Sequence, residues 1–291
     1  MYYGAIEAGG TKFVCAVGLE NGEILEKIRI ETTMPKETLG AVIDFFRKYS
    51  LKAIGIGSFG PIDINRNSRT YGFITSTPKK GWTNYPIVKT IQEAFSVPIF
   101  FNTDVNAAAL GELEKGAAKG LDSCLYITVG TGIGAGAVVQ GQLLEGFSHP
   151  EMGHILVRRH ADDTYEGKCP FHKDCLEGLA SGPAVEERWG KKAVDLADRM
   201  QVWEMEAYYI AQALMQYMLI LAPKKIILGG GIMKQRQLFP LVRQKVKDLL
   251  NGYLAFPEIL DNLEAYIVPP ALGDDAGIIG ALYGAIRVAE K

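Results

Sequence analysis

Apolar residues in this chain fall in short runs separated by glycine-bearing turns, with longer stretches of helical spacing between them. Residues 2–6, 13–19 and 24–30 read as three short strands, joined by Gly9-Gly10 and Asn21-Gly22, and Asn-Gly is a strong hairpin signal. Residues 36–49 predict a helix with Leu39, Val42, Ile43 and Phe46 on one face. Residues 53–57 read as a buried strand, 58–97 as irregular and rich in Gly, Pro, Asn and Thr, and 99–101 as another strand. Asn102-Thr103-Asp104 leads into a helix from Val105 to about Ala118.

The plan then restarts. Residues 124–129 form a strand, Gly130 to Gly134 a glycine turn, and 135–140 the returning strand, with Gly141 turning the chain into Leu143. A helix over 202–221 carries Trp203, Ala207, Ile210, Leu214, Met218 and Leu221 at helical spacing, a stripe that reads as core. A strand at 225–228 ends in Gly229-Gly230-Gly231; 239–250 is helical, 265–268 a strand and 275–287 a final helix. Each half has three strands with a glycine turn after the first, then helix, strand, helix. This order predicts an internally duplicated α/β protein with a cleft between two domains. The expected division is a smaller domain over 1–118, completed by the helix at 275–291, and a larger domain over 119–274 with an insert at 149–183.

Composition narrows the class. The chain has 291 residues, 48% hydrophobic and 22% charged, with a net charge of −2, so no broad basic face invites nucleic acid. No apolar run approaches the ~20 residues that span a bilayer, and the first residues lack the pattern of a signal peptide. Cys15 and Cys124 lie in strand-like apolar runs and nothing demands a disulfide, so a reducing cytoplasm is the expected compartment.

The insert carries the densest chemistry. His154, Cys169, His172 and Cys175 form a Cys2His2 set, against the alternative of a surface loop with free thiols. Zinc favours four N/S ligands in a tetrahedron, and a fully occupied shell marks a structural site. Glu151 and Glu177 sit among these ligands, where a bound ion would hold them.

Two further loops leave first strands. Glycines at Gly9, Gly10 and Gly132 let backbone N–H groups approach phosphate, Thr11 and Thr131 add hydroxyls, and Lys12 adds charge; a plain hairpin is the competing reading. No Walker A or protein-kinase signature is present. Asp104 follows a strand and precedes a helix, which suits either an N-cap or a general base taking a proton from an attacking hydroxyl.

These motifs together resemble the ROK sugar kinases: Glu7-x-Gly-Gly-Thr-Lys12, Asn102-Thr-Asp104-Val-Asn106 through Glu112, Thr128 to Gly134, Glu151-Met-Gly-His154, and Cys169 to Glu177. They stand in the family's order across most of the chain, and the last is most like bacterial ROK fructokinases. The resemblance implies an actin-like (ribonuclease H-like) fold and phosphorylation of a hexose by ATP and magnesium, most simply D-fructose to fructose 6-phosphate. It implies Asp104 as base, with Glu151, His154 and Glu177 on sugar hydroxyls and His154 also on zinc through its other nitrogen. Thr103 stands where glucokinase-like members have a sugar-touching Asn. Thr131, Pro183, Gly230, Gly231, Ile232, Met233, Lys234 and Gln235 match positions associated with ATP. The first motif opens with Glu7 where the family usually has Asp, and the metal set holds a second His where Cys is frequent. The resemblance also implies a homodimer. The alternatives are a mannose, glucose or N-acetylhexosamine kinase, and a non-catalytic sugar sensor. ROK repressors carry an N-terminal helix-turn-helix, for which a first strand at Tyr2 leaves no room.

Overall fold

A computed structural model describes residues 1–290 as two compact units. The first unit comprises Met1–Gly120, Leu143–Pro150 and the chain from Asp274 onward; the second comprises Leu121–Gln142 and Glu151–Gly273.

The first unit is built on five strands: β1 (Tyr2–Ala8), β2 (Lys12–Gly18), β3 (Ile24–Glu31), β4 (Leu51–Ser58) and β5 (Ile99–Thr103). Their order is β3-β2-β1-β4-β5. β1 to β3 pair antiparallel, whereas β4 lies parallel to β1 and β5 parallel to β4. β3 alternates between partly buried and exposed positions, as its sequence ILEKIRIE requires of an edge strand with one wet face. β1, β2 and β4 are covered on both faces and are almost wholly apolar.

On one face of the sheet, Ile6, Phe13, Cys15, Ile54 and Ile56 pack with Leu39, Val42 and Phe46 of the helix Pro35–Phe46, and with Ile74 and Trp82. The other face, with Tyr3, Ala5, Val14, Ala16 and Ala53, receives Ile278, Ala281, Leu282, Ala285 and Ile286 of the helix Ala276–Ala289. That helix lies close because small residues admit it. A Cβ on Gly55 would stand 1.8 Å from the Ala281 carbonyl oxygen, and one on Gly280 1.6 Å from that of Ala107, in the helix Asp104–Glu114.

The segment expected to be irregular contains a helix, Ile87–Phe95. Ile87, Val88 and Ile91 bury into the core, and Ser96 ends the helix in the left-handed conformation. Tertiary packing overrides the β-branched, proline-flanked local signal.

The second sheet repeats the plan with β6 (Cys124–Val129), β7 (Ile133–Val139), β8 (Gln142–Leu143), β9 (Ile226–Gly229) and β10 (Ile267–Val268). The order β8-β7-β6-β9-β10 matches the first sheet strand for strand, with β6–β7 antiparallel and β6–β9–β10 parallel. Trp203, Ala207, Ile210, Leu214 and Met218 of the helix Met200–Leu221 are buried, as the core reading requires, and Leu221 is partly buried. The strand expected over 265–268 is only two residues long. Asn262 caps a helical turn, Leu263–Tyr266, which takes its first half.

Candidate active site

In the first unit the candidate residues gather at the carboxyl ends of β1 and β5. The Gly9 N–H donates to the Lys12 carbonyl at 3.0 Å, and a Cβ at Gly9 would approach that oxygen to 2.7 Å, so the turn between β1 and β2 needs a glycine there. Thr32 Oγ1 donates to the Gly9 carbonyl at 2.7 Å and pins the turn from β3. Gly10, Thr11 and Lys12 are exposed.

Glu7 lies just before this turn, and its Oε2 is buried with no hydrogen-bond partner. A Cβ on Gly277 would stand 2.8 Å from its carboxyl carbon, so the first turn of the last helix is glycine where Glu7 needs room. Burial pushes the Glu7 carboxyl up to about 7; Asp104, Asp275 and Asp274 push the same way, and Lys12 opposes them. Asp275 is held by Lys27 Nζ at 2.7 and 2.8 Å. An orphan carboxylate oxygen facing other carboxylates is an all-oxygen donor set, which suits a hard divalent cation such as Mg2+.

Asp104 opens its helix but does not cap it. Thr103 is the N-cap: its Oγ1 accepts the Asn106 N–H at 3.1 Å. Asp104 Oδ1 accepts its neighbour Val105 N–H at 2.8 Å. The N-cap alternative for Asp104 is therefore corrected, and the cap belongs to the residue before it. Thr103 is 6% exposed, and its hydroxyl oxygen is committed to this role.

In the second unit, His154, Cys169, His172 and Cys175 present ligand atoms all within 4.8 Å of one another. Cys169 Sγ lies 3.7 Å from Nδ1 of both His154 and His172, and Cys175 Sγ lies 3.5 Å from His154 Nδ1. Zn–S near 2.3 Å and Zn–N near 2.0–2.1 Å at the tetrahedral angle would put S and N about 3.5 Å apart, so the edges fit that ion. Both histidines turn Nδ1 inward. That leaves His154 Nε2 outside the cluster, 4.0 Å from Glu177 Oε1.

The carboxylates beside the cluster are placed by backbone constraints. Glu177 sits in the first turn of the short helix Leu176–Ala180, and its Oε2 accepts the Ile133 N–H at 2.9 Å. A Cβ on Gly132 would come within 2.7 Å of that oxygen, which explains a glycine next to the carboxylate. Glu151 is exposed, and its carbonyl accepts the His154 N–H at 3.0 Å to form one tight turn. A Cβ on Gly153 would stand 1.7 Å from the Ile133 carbonyl oxygen. The Glu-x-Gly-His spacing is thus a turn pressed against β7.

The positions matched to ATP converge in part. The Gly182 N–H donates to the Gly130 carbonyl at 2.7 Å, and Pro183 follows in the first turn of the helix Gly182–Trp189. Gly230 has φ +91°, and a Cβ there would meet the Val129 carbonyl at 2.4 Å. Gly231 and Thr131 are exposed. Ile232 and Met233 are each 3% exposed, so their side chains are buried, and Gln235 Nε2 is tied to the Ala193 carbonyl at 3.2 Å. Gly231 leads into a single 3-10 turn, Ile232–Lys234.

Sequence reasoning missed Glu145. Its Oε1 accepts from Asn102 Nδ2 at 2.6 Å, a pairing across 43 residues that no local pattern announces.

The ROK family model matches residues 3–287, and the chain belongs to the ROK family. It is an α/β sugar kinase of actin-like fold. A Bacillus subtilis relative is 64% identical over 96% of this chain and 93% of its own length. A fructokinase of Pediococcus pentosaceus is 48% identical over 97% of this chain and 96% of its own. A ROK hexokinase of Thermus thermophilus superposes with a TM-score of 0.83 at 27% identity, covering both chains completely.

Proposed function

We propose that this protein transfers the γ-phosphoryl group of ATP to the 6-hydroxyl of D-fructose, giving fructose 6-phosphate and ADP. The observation that carries the reading is 48% identity to a fructokinase across nearly the whole of both chains. The site residues agree with it. Asp104 stands at a helix start with its capping duty taken by Thr103, so its carboxylate serves as general base for the sugar hydroxyl. Glu151, His154 Nε2 and Glu177 bind other hydroxyls, held in place by the metal cluster behind His154. Glycine-lined turns at Gly9–Gly10 and Gly130–Gly132, with Thr11, Thr131 and Lys12, offer donors to phosphates.

His154, Cys169, His172 and Cys175 would hold zinc, which orders the insert and takes no part in the chemistry. Glu7, with Asp104, Asp274 and Asp275 around it, would receive magnesium, directly or through water; that ion supplies charge neutralisation on the transferring phosphate. The site requires no nucleic acid or membrane, and among the described residues no helix is long and apolar enough to cross one. No disulfide joins the four cysteines, which supports a reducing cytoplasm, and the family resemblance supports a homodimer.

ADP release with ATP and magnesium across fructose, mannose, glucose and N-acetylmannosamine tests the reading. Turnover led by fructose is expected. Turnover led by another hexose would leave the kinase and move the substrate, and none on any sugar, in zinc-replete protein, would favour a sugar sensor.

A further inference from the structure

Asn102 is a buried junction one residue before the cap and two before the base. It is 1% exposed. Its Oδ1 accepts both the Thr103 N–H at 2.9 Å and Asn106 Nδ2 at 2.7 Å, which fixes the amide orientation and leaves Nδ2 to point elsewhere. Nδ2 donates to Glu145 Oε1 at 2.6 Å. Glu145 belongs to Leu143–Pro150, the segment that packs with the first unit. A second tie holds the same segment, because the Ile62 N–H donates to His149 Nε2 at 3.4 Å. Between the two, the Gly146 N–H closes a turn onto the Ser148 carbonyl at 3.0 Å.

An exposed glutamate ordinarily samples many rotamers. Here one carboxylate oxygen is fixed by a buried amide, and Oε2 accepts no hydrogen bond within the described residues. A carboxylate is an acceptor only, so what it lacks is an O–H or N–H donor. Two residues of chain advance about 6–7 Å, roughly the width of a hexose ring, from Asn102 to the base.

We propose that Glu145 is a specificity-determining ligand of the sugar, its Asn102-anchored carboxylate accepting from a second hydroxyl of the hexose whose reacting hydroxyl faces Asp104. This rests on the sugar-kinase reading above. The assignment places this second hydroxyl at the C1–C2 end, the only part of the chain in which fructose differs from glucose and mannose, so that the contact discriminates between them.

The test is Glu145→Gln. Glutamine keeps an oxygen for Asn102 Nδ2 and replaces only the free acceptor with a donor. We expect an unchanged melting temperature, an unchanged KM for ATP and a kcat on fructose within a few-fold of wild type. KM for fructose should rise about 10- to 100-fold, the loss expected for one charge-assisted hydrogen bond. The preference for fructose over mannose and glucose should narrow accordingly. A wild-type-like KM and preference would overturn the assignment, as would an equal fall in kcat on every sugar at constant KM, which marks a purely positioning role. Wild-type protein inert on every sugar would overturn the kinase reading itself.

Discussion

The Thr103 hydroxyl accepts the Asn106 N–H at 3.1 Å, so Thr103 and not Asp104 makes the N-cap bond of this helix. The two neighbours therefore separate stability from chemistry. Thr103→Ala should cost about 0.5–2 kcal/mol, the usual loss for an N-cap, visible as a lower denaturation midpoint with much of the turnover retained. Asp104→Asn should leave the midpoint nearly unchanged and lower kcat by about 10²–10⁴, with fructose still binding in calorimetry. Near-normal turnover in Asp104→Asn would remove the base assignment.

Glu7 makes ligand-free stability fall as pH rises. Its carboxyl titrates at about 7 in the folded protein against an ordinary 4.5. Between these values the unfolded chain gives up its proton while the folded one retains it, so unfolding gains and stability declines as pH climbs through that window. Above about 7 the penalty is complete. Thermal melts from about pH 5 to pH 8 should show this slope in wild type and a shallower one in Glu7→Gln. Added Mg2+ should raise the wild-type melting temperature at the alkaline end more than that of the variant.

Metal content gives a direct check on the cluster. Elemental analysis should find one zinc per chain, and Cys175→Ala should lose it. Structural zinc contributes roughly 10–16 kcal/mol of apparent binding energy in small domains, so chelation should lower the melting temperature and weaken fructose binding together. Normal sugar affinity in zinc-free protein would contradict the proposal that the ion orders the sugar-binding residues.

Gly153 tests whether the turn before His154 is as tight as it looks. Its missing Cβ would stand 1.7 Å from the Ile133 carbonyl oxygen, a backbone atom that cannot swing away. Gly153→Ala should destabilise by about 1–3 kcal/mol or more and raise KM for fructose, because His154 follows directly.

The strands, both glycine turns and the metal quartet were legible because each is written locally: alternation in residues 24–31, Asn21-Gly22, and Cys169 to Cys175 within one short loop. The helix Ile87–Phe95 was not, since Pro86 and its β-branched residues argue against a helix and only burial of Ile87, Val88 and Ile91 decides for it. The helices Leu176–Ala180 and Gly182–Trp189 were hidden for a related reason. Ser181-Gly182-Pro183 reads as loop, yet proline is at home in a first turn. The capping role went to Asp104 in the sequence because Thr and Asp stand side by side and both qualify. Glu145 has no local signature, because Asn102 is distant in sequence.

The helix Ala276–Ala289 packs against one face of a sheet whose strands end at Thr103. On the ribosome, roughly 150 residues separate Gly120 from this helix, and at about 5–20 residues per second that is on the order of ten seconds or more. Until then Tyr3, Ala5, Val14, Ala16 and Ala53 have no cover. The first half of the chain to be translated is therefore the last to be finished, and it spends that interval as a sticky surface suited to a chaperone.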